Sequence, residues 1–450
     1  MEISVGILAA QEINVFFRGE YRESTTSTLY TQKLKLSWKE GQVEVENTSG
    51  IRLLSLPICF CPQEADSSTF ELSDVTIGIH FHWERKENQR FKGRLKIIAE
   101  NGQLRAVNII DIEDYLQSVI SSEMSAMSFP ELLKTHAVIS RSWLLAQRAK
   151  AECRKGQTAQ TNFVNDTSTY IRWYDREDHL YFDVCADDHC QRYQGIQKIT
   201  APAVQQAIEA TRGEILTYQG EVCDTRFSKC CGGITENFEN VWEKNIHPYL
   251  KSVPDTPKHT PFSYDLTQEA AMERWVKEKP NVFCHTNDKN ILANVLNDYD
   301  QETTNFFRWE VYYTQQELSE LIRDRLGMDF GQIEELIPIE RGPSGRLIRL
   351  QVVGSKKSRI IGKELLIRKA LSPTHLYSSA FIVEKKTADD KTCGFRLIGA
   401  GWGHGVGLCQ IGAAVMSYKG YTYREILRHY FPGTDIEDLR EKYPVVARSK

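Results

Sequence analysis

The sequence has no long apolar run. No window approaches the ~20 consecutive apolar residues that a membrane-spanning helix requires, so a helical membrane protein is excluded. It also lacks an excess of one charge. Its 56 basic and 60 acidic residues give a net charge of -4, which argues against a protein built to grip nucleic-acid phosphates. There is no internal repeat and no low-complexity tract. The opening stretch MEISVGILAAQEINVFF lacks a basic start, an apolar core and a small-residue cleavage site in that order. No signal peptide is read from it, so a cytoplasmic location stays open beside any exported one.

What is present describes an ordinary folded protein: 41% hydrophobic and 26% charged residues over a 450-residue chain. That length makes two or three domains the starting expectation. Cysteine is the exception. There are eleven, an odd number, so they cannot all pair.

Residues 1–104 read as strands. LKLSW, QVEVEN, DVTIGIHFHW and GRLKIIAE alternate apolar and polar residues, and Ile3, Val5 and Ile7 suit a first strand. His80 and His82 share one strand face, as a metal pair or as ordinary strand histidines. Helical spacing begins after Asp111 and should stop before Phe129-Pro130, where a second helix starts with Ser128 as cap. Helices are also expected over Pro202–Ala210, Gln315–Leu326, Gly362–Leu371 and Gln410–Lys419. Thr422 and Glu425 form a capping-box pair for a last helix. Residues 262–305 are polar and give no clear pattern.

Three groups of residues could carry chemistry. The first is Gly399, Gly401, Gly403, Gly405 and Gly407, which fit no phosphate-loop register. They would suit a strand bare on one face, against which a flat polar ligand can lie, with Trp402 and His404 projecting together from the other face as an aromatic platform and polar donor of the kind that suits sugars. They would equally suit a glycine strand packed under a helix. The second is Glu123, at the junction between two helices. A half-buried carboxyl there suits a general acid, and a solvated glutamate is the plainer reading. His136 and Arg141 on the next helix could be its neighbours. The third is Cys185 and Cys190 with His179 and His189 close by, within the habits of zinc ligands. Cys230 or Cys231 could add a ligand. Reduced thiols or a Cys185–Cys190 disulfide are the other readings.

In order and wording, several segments resemble the SpoIID/LytB family, named for a sporulation protein and an amidase enhancer. They are IIDIEDYLQSVISSEMSAMSFPELLKTHAVISRSWLLA, VCADDHCQRYQG, TRFSKCCGGITENFENVWEKNIHPYLKSVPD and GAGWGHGVGLCQIGAAVMSYKGYTYREILRHYFPGT. The resemblance implies an α+β protein with a strand-rich region 1–104, a catalytic core over 105–435 with a divergent segment 262–300, and a tail over 436–450. It implies a peptidoglycan lytic transglycosylase that cuts the MurNAc–GlcNAc bond of denuded glycan strands, with Glu123 as the catalytic glutamate. It further implies a structural zinc on His179, Cys185 and Cys190, and no organic cofactor. Arg141, Trp402, His404 and Gln410 are expected to line the glycan groove. Peptidoglycan strands, and a cell-wall amidase, are the expected partners, with no nucleic acid and no membrane span. The expected location is the cell envelope or periplasm. A member of this family could instead bind peptidoglycan without cutting it and stimulate a separate amidase.

Overall fold

The computed structural model describes residues 1–79, 84–125, 128–154, 163–173, 179–187, 189–199, 201–258, 260–278, 280–296, 303–389 and 391–442. The His80 and His82 pair lies outside them. The fold is mixed α+β with a strand-rich amino-terminal region, as the resemblance implies. The chain forms two units and passes between them more than once. The first holds residues 1–153, 176–215 and 437–450; the second holds 154–175 and 216–436.

In the first unit, alternating residues build an eleven-stranded sheet among the described residues. Glu2–Ala10 runs antiparallel to Gln103–Asp111, with Ile3 opposite Ile110 and Val5 opposite Asn108. Gln103–Asp111 in turn pairs with Arg94–Glu100. The boundary expected at 104/105 therefore falls inside a strand bonded on both edges. Ladder hydrogen bonds between distant stretches of chain make that strand part of the amino-terminal sheet, and the local wording does not reveal them.

That strand feeds directly into helix α1 (Ile112–Glu123), whose N-cap Asp111 accepts from the Glu113 N–H. Helix α2 (Pro130–Arg154) comes next, with nearly every side chain from Leu132 to Leu145 buried. Such burial on all sides marks a central core helix. Helix α3 (Pro202–Ala210) begins with proline in its first turn, as expected. Residues near the carboxyl end also belong to this unit. The strand Asp435–Asp438 and the helical turn Leu439–Lys442 stand where a tail was expected, and the Leu439 N–H donates to the Gly213 carbonyl at 2.8 Å.

The second unit contains a five-stranded and a three-stranded sheet. Lys391–Ala400 is the centre of the latter, between Arg308–Thr314 and Phe381–Ala388. Its helices are α4 (Phe238–Val241), α5 (Glu269–Lys277), α6 (Lys289–Ala293), α7 (Gln315–Leu326), α8 (Glu364–Ala370), α9 (Gln410–Tyr418) and α10 (Tyr423–Tyr430). Capping boxes start α7 at Thr314 and α10 at Thr422. A core of Leu318, Ile322, Leu347, Leu350, Phe395 and Leu397 joins α7 to both sheets.

Candidate functional site

Glu123 is the last residue of α1 and is half-buried. Its Oε1 accepts a hydrogen bond from the backbone N–H of Arg192 at 3.0 Å. The segment carrying Arg192 is fixed on both sides. The Tyr115 hydroxyl donates to Gln191 Oε1 at 3.2 Å, and the Tyr193 hydroxyl donates to Asn108 Oδ1 at 2.6 Å. The Tyr115 and Tyr193 rings stack with centroids 5.1 Å apart, and Ser118 donates to the Gly195 carbonyl at 2.9 Å. A carboxyl at a helix end is thus held by a peptide group whose neighbours are themselves bonded to the sheet and to α1.

The same segment leads back to the cysteine and histidine group. Val184 and Cys185 add to the sheet in parallel with Val5 and Gly6. The Phe182 ring packs on Gly6, where a Cβ would come within 2.6 Å of it and would force the ring to shift. The His179 ring stacks on Phe182 at 4.5 Å. Cys190 Sγ lies 3.4 Å from His179 Nε2 and 3.5 Å from His189 Nδ1, and Cys185 Sγ lies 3.7 Å from His189 Nδ1. Tetrahedral zinc with Zn–S near 2.3 Å and Zn–N near 2.0 Å has S···N edges of about 3.5 Å. These four side chains fit such an ion by donor type and by spacing. The Cys190 sulfur and burial push the Cys185 thiol up to about 11; a bound divalent cation would reverse this, because a coordinating thiol is deprotonated. A cleft of about 440 Å³ opens beside the group, lined by His179, His189, Arg192, Glu100 and Arg105 among others.

The remaining expected residues fare differently. Arg141 is fully buried. It forms a two-pronged ion pair with Glu113 at 3.1 and 2.6 Å, and donates to the Glu214 carbonyl at 2.8 Å and the Ala137 carbonyl at 3.4 Å. Its guanidinium is committed inside the first unit, to Glu113 and not Glu123, so the expected substrate contact is corrected to a structural role. Gln410 is also buried, at the first position of α9, which leaves little of it for a ligand.

Trp402 and His404 keep part of their surface and lie in the second unit. Trp402 packs against Tyr377 at 4.2 Å and against Phe306 at 4.9 Å, both rings tilted to it. The glycine run around them is not a bare strand. The regular strand ends at Ala400, and Gly401, Gly403, Gly405 and Gly407 all have φ between 73° and 93°. A Cβ at Gly407 would lie 2.1 Å from the Arg226 carbonyl oxygen, so the glycines let this loop pack against the chain from Arg226 to Cys231. Arg346 then fixes it by donating to the Gly403 carbonyl at 3.1 and 3.2 Å. Burial, with Arg226 and Arg346 nearby, drives His404 down to about 3, so its imidazole is neutral. His404 Nδ1 accepts from the Val406 N–H at 3.0 Å.

Residues 100–218, which hold Glu123 and the zinc-type ligands, match the family model described as "Stage II sporulation protein". The resemblance to the SpoIID/LytB family is borne out over this stretch. A second model, described as "Domain of unknown function (DUF8618)", matches residues 236–407. This chain is 27% identical to the Stage II sporulation protein D of Bacillus amyloliquefaciens over 338 residues, covering 74% of this chain and 76% of that one. It is 28% identical to an uncharacterized protein of Brachyspira hyodysenteriae over 349 residues, 77% of this chain and 72% of that one. It is 25% identical to the amidase enhancer of Bacillus subtilis over 239 residues, 51% of this chain but only 32% of that one. These likenesses support a cell-wall-related role.

Two features of this site were left open by the sequence. His189, named there only as a close neighbour, completes the ligand group, whereas Cys231 belongs to a different cluster in the second unit. Nearness in the chain was the available signal for His189. The Glu113–Arg141 pair joins residues 28 apart on two helices, a relation that spacing alone does not expose.

Proposed function

We propose that this protein is a peptidoglycan lytic transglycosylase with Glu123 as its acid and base. The observation that carries the reading is the Glu123 carboxyl itself, half-buried at the end of α1 and held by the Arg192 N–H, within the stretch matched to the sporulation family. In the protonated state Glu123 gives its proton to the glycosidic oxygen between MurNAc and GlcNAc, and that C–O bond breaks toward an oxocarbenium-like state. Glu123, now a carboxylate, takes the proton of the MurNAc 6-hydroxyl, whose oxygen closes on the anomeric carbon. The products are a free GlcNAc 4-hydroxyl end and a 1,6-anhydro-MurNAc end. No water is consumed and Glu123 recovers its proton, so the second carboxylate of ordinary glycosidases is not required.

Zinc is part of this proposal. His179, Cys185, His189 and Cys190 would hold it, and when bound it would supply structural rigidity to the segment that leads to Arg192. Trp402, with its aromatic neighbours, is proposed as a sugar platform. The fitting substrate is denuded glycan in the cell envelope. Mass spectrometry of such glycan after incubation with the protein is the direct test: anhydro-ended sugars support the reading, and their absence removes it.

A second reading rests on the likeness to the amidase enhancer. Here the protein would bind glycan and stimulate a separate cell-wall amidase. Glycan that is pulled down uncut, together with faster amidase turnover, would favour it.

A further inference from the structure

The second unit gathers a set of metal-type ligands that neither the proposed acid–base chemistry nor the first cluster uses. Cys231, Asp255, Cys284 and Cys409 each present one ligand atom, all within 4.8 Å of one another. The four residues are at most 2% exposed. They come from four separate stretches. Cys231 lies just after the short strand Phe227–Ser228, Asp255 follows Pro254 outside any helix or strand, Cys284 comes after α5, and Cys409 is the N-cap of α9.

The spacing is compatible with a tetrahedral site. Cys231 Sγ and Cys284 Sγ are 3.7 Å apart, close to the S···S edge of about 3.8 Å that Zn–S bonds near 2.3 Å produce. A multi-iron cluster would hold its sulfurs farther apart, with iron and sulfide between them. The surroundings also suit bound thiolates. Backbone N–H groups aim at the sulfurs: Cys231 and Gly412 donate to Cys409 at 3.2 and 3.4 Å, and Gly233 donates to Cys231 at 3.4 Å. Asp255 is oriented by neutral donors, the Tyr430 hydroxyl on Oδ1 at 2.6 Å and the Cys284 N–H on Oδ2 at 2.7 Å. Both oxygens keep acceptor capacity for an ion. The nearby cation Arg308 is engaged with the carbonyls of Gly232, Trp275 and Phe307. Three buried thiols and a buried carboxylate are costly to ionise together, and a thiophilic ion removes that cost.

We propose that Cys231, Cys284, Cys409 and Asp255 form a second, structural zinc site. This site goes beyond the glycan-cleaving reading and does not depend on it. The ion would fasten together loops up to 178 residues apart in sequence. One of them carries Cys230, which exchanges two backbone hydrogen bonds with Trp402, at 3.0 and 2.7 Å.

Elemental analysis of the full chain purified without added metal tests this. About two zinc per chain are expected in wild type, one in Cys185→Ser/Cys190→Ser, and one in Cys284→Ser. After exchange into cobalt, the Cys185→Ser/Cys190→Ser protein should show thiolate-to-cobalt charge-transfer absorption. One zinc in wild type with none in the Cys185→Ser/Cys190→Ser protein overturns the proposal. So does a Cys231–Cys284 disulfide in a non-reducing peptide map. Should either variant fail to fold, the wild-type count together with the peptide map decides.

Discussion

The Arg192 backbone N–H donates to Glu123 Oε1 at 3.0 Å, and Arg192 lies two residues after Cys190. The candidate acid and the candidate zinc clip of the first unit are therefore joined through a single short stretch of chain. A change in the clip should reach Glu123 through that peptide group.

This relationship predicts that removing metal lowers turnover more than substrate affinity. Residues that orient first ligands and their dependants typically cost 10–100-fold when lost, and a loss of about this size is expected in kcat for Cys190→Ser. Steady-state kinetics on soluble denuded glycan, with and without chelator, provide the check. An equal loss from chelator in wild type and in Cys190→Ser would break the link.

Arg141 should matter for stability and not for product. Removing one partner of a buried ion pair costs about 3–5 kcal/mol because the other charge is stranded, and here Glu113 would be left facing the core. Arg141→Ala is expected to lower the urea midpoint sharply, while the folded fraction yields the wild-type product profile. Altered products at full stability would instead return Arg141 to the substrate site.

The local features of the fold were legible in the sequence. Asp111, Thr314 and Thr422 cap helices because the cap and its partner lie within three residues of each other. What was not legible depends on contacts across the chain. The Cys231–Cys409 contact spans 178 residues, so two ligand clusters could not be sorted from eleven cysteines. The glycine alternation looked like a strand because period two is the strand signal, whereas here it reflects repeated left-handed turns. Helix α5 was missed although Ala271, Met272, Trp275 and Val276 form one apolar face. Its nine residues are too few to stand out among polar neighbours.

Trp402 should contribute binding, not chemistry. Its indole packs against Tyr377 at 4.2 Å, with Lys229 Nζ 5.7 Å from the ring centroid. Trp402→Ala is expected to weaken glycan binding about 3- to 10-fold, the equivalent of roughly 0.5–1.5 kcal/mol of aromatic contact, and Trp402→Phe to retain most of it. Calorimetry on denuded glycan measures this, and unchanged affinity in Trp402→Ala would remove the platform.

Acid should destabilise the fold in a predictable window. Burial drives His136 on α2 down to about 3, against an ordinary value near 6.5. The folded state keeps this imidazole neutral while the unfolded chain takes a proton below about 6.5. Its contribution is therefore fully present above pH 6.5 and is lost as the pH falls toward 3, at about 1.4 kcal/mol per pH unit. Urea titrations at pH 7 and pH 5 should show a smaller drop for His136→Gln than for wild type. Equal drops would show that His136 does not carry the effect.

Everything proposed for the reaction turns on Glu123, and it is met most directly by mass spectrometry of denuded glycan digested by wild type and by Glu123→Gln. The glutamine keeps the shape and can still accept from Arg192, but it can neither give nor take the proton. Wild type should produce 1,6-anhydro-MurNAc ends, and Glu123→Gln should form them about 10²–10⁴-fold more slowly. Identical product profiles from the two proteins would contradict an acid–base role for Glu123.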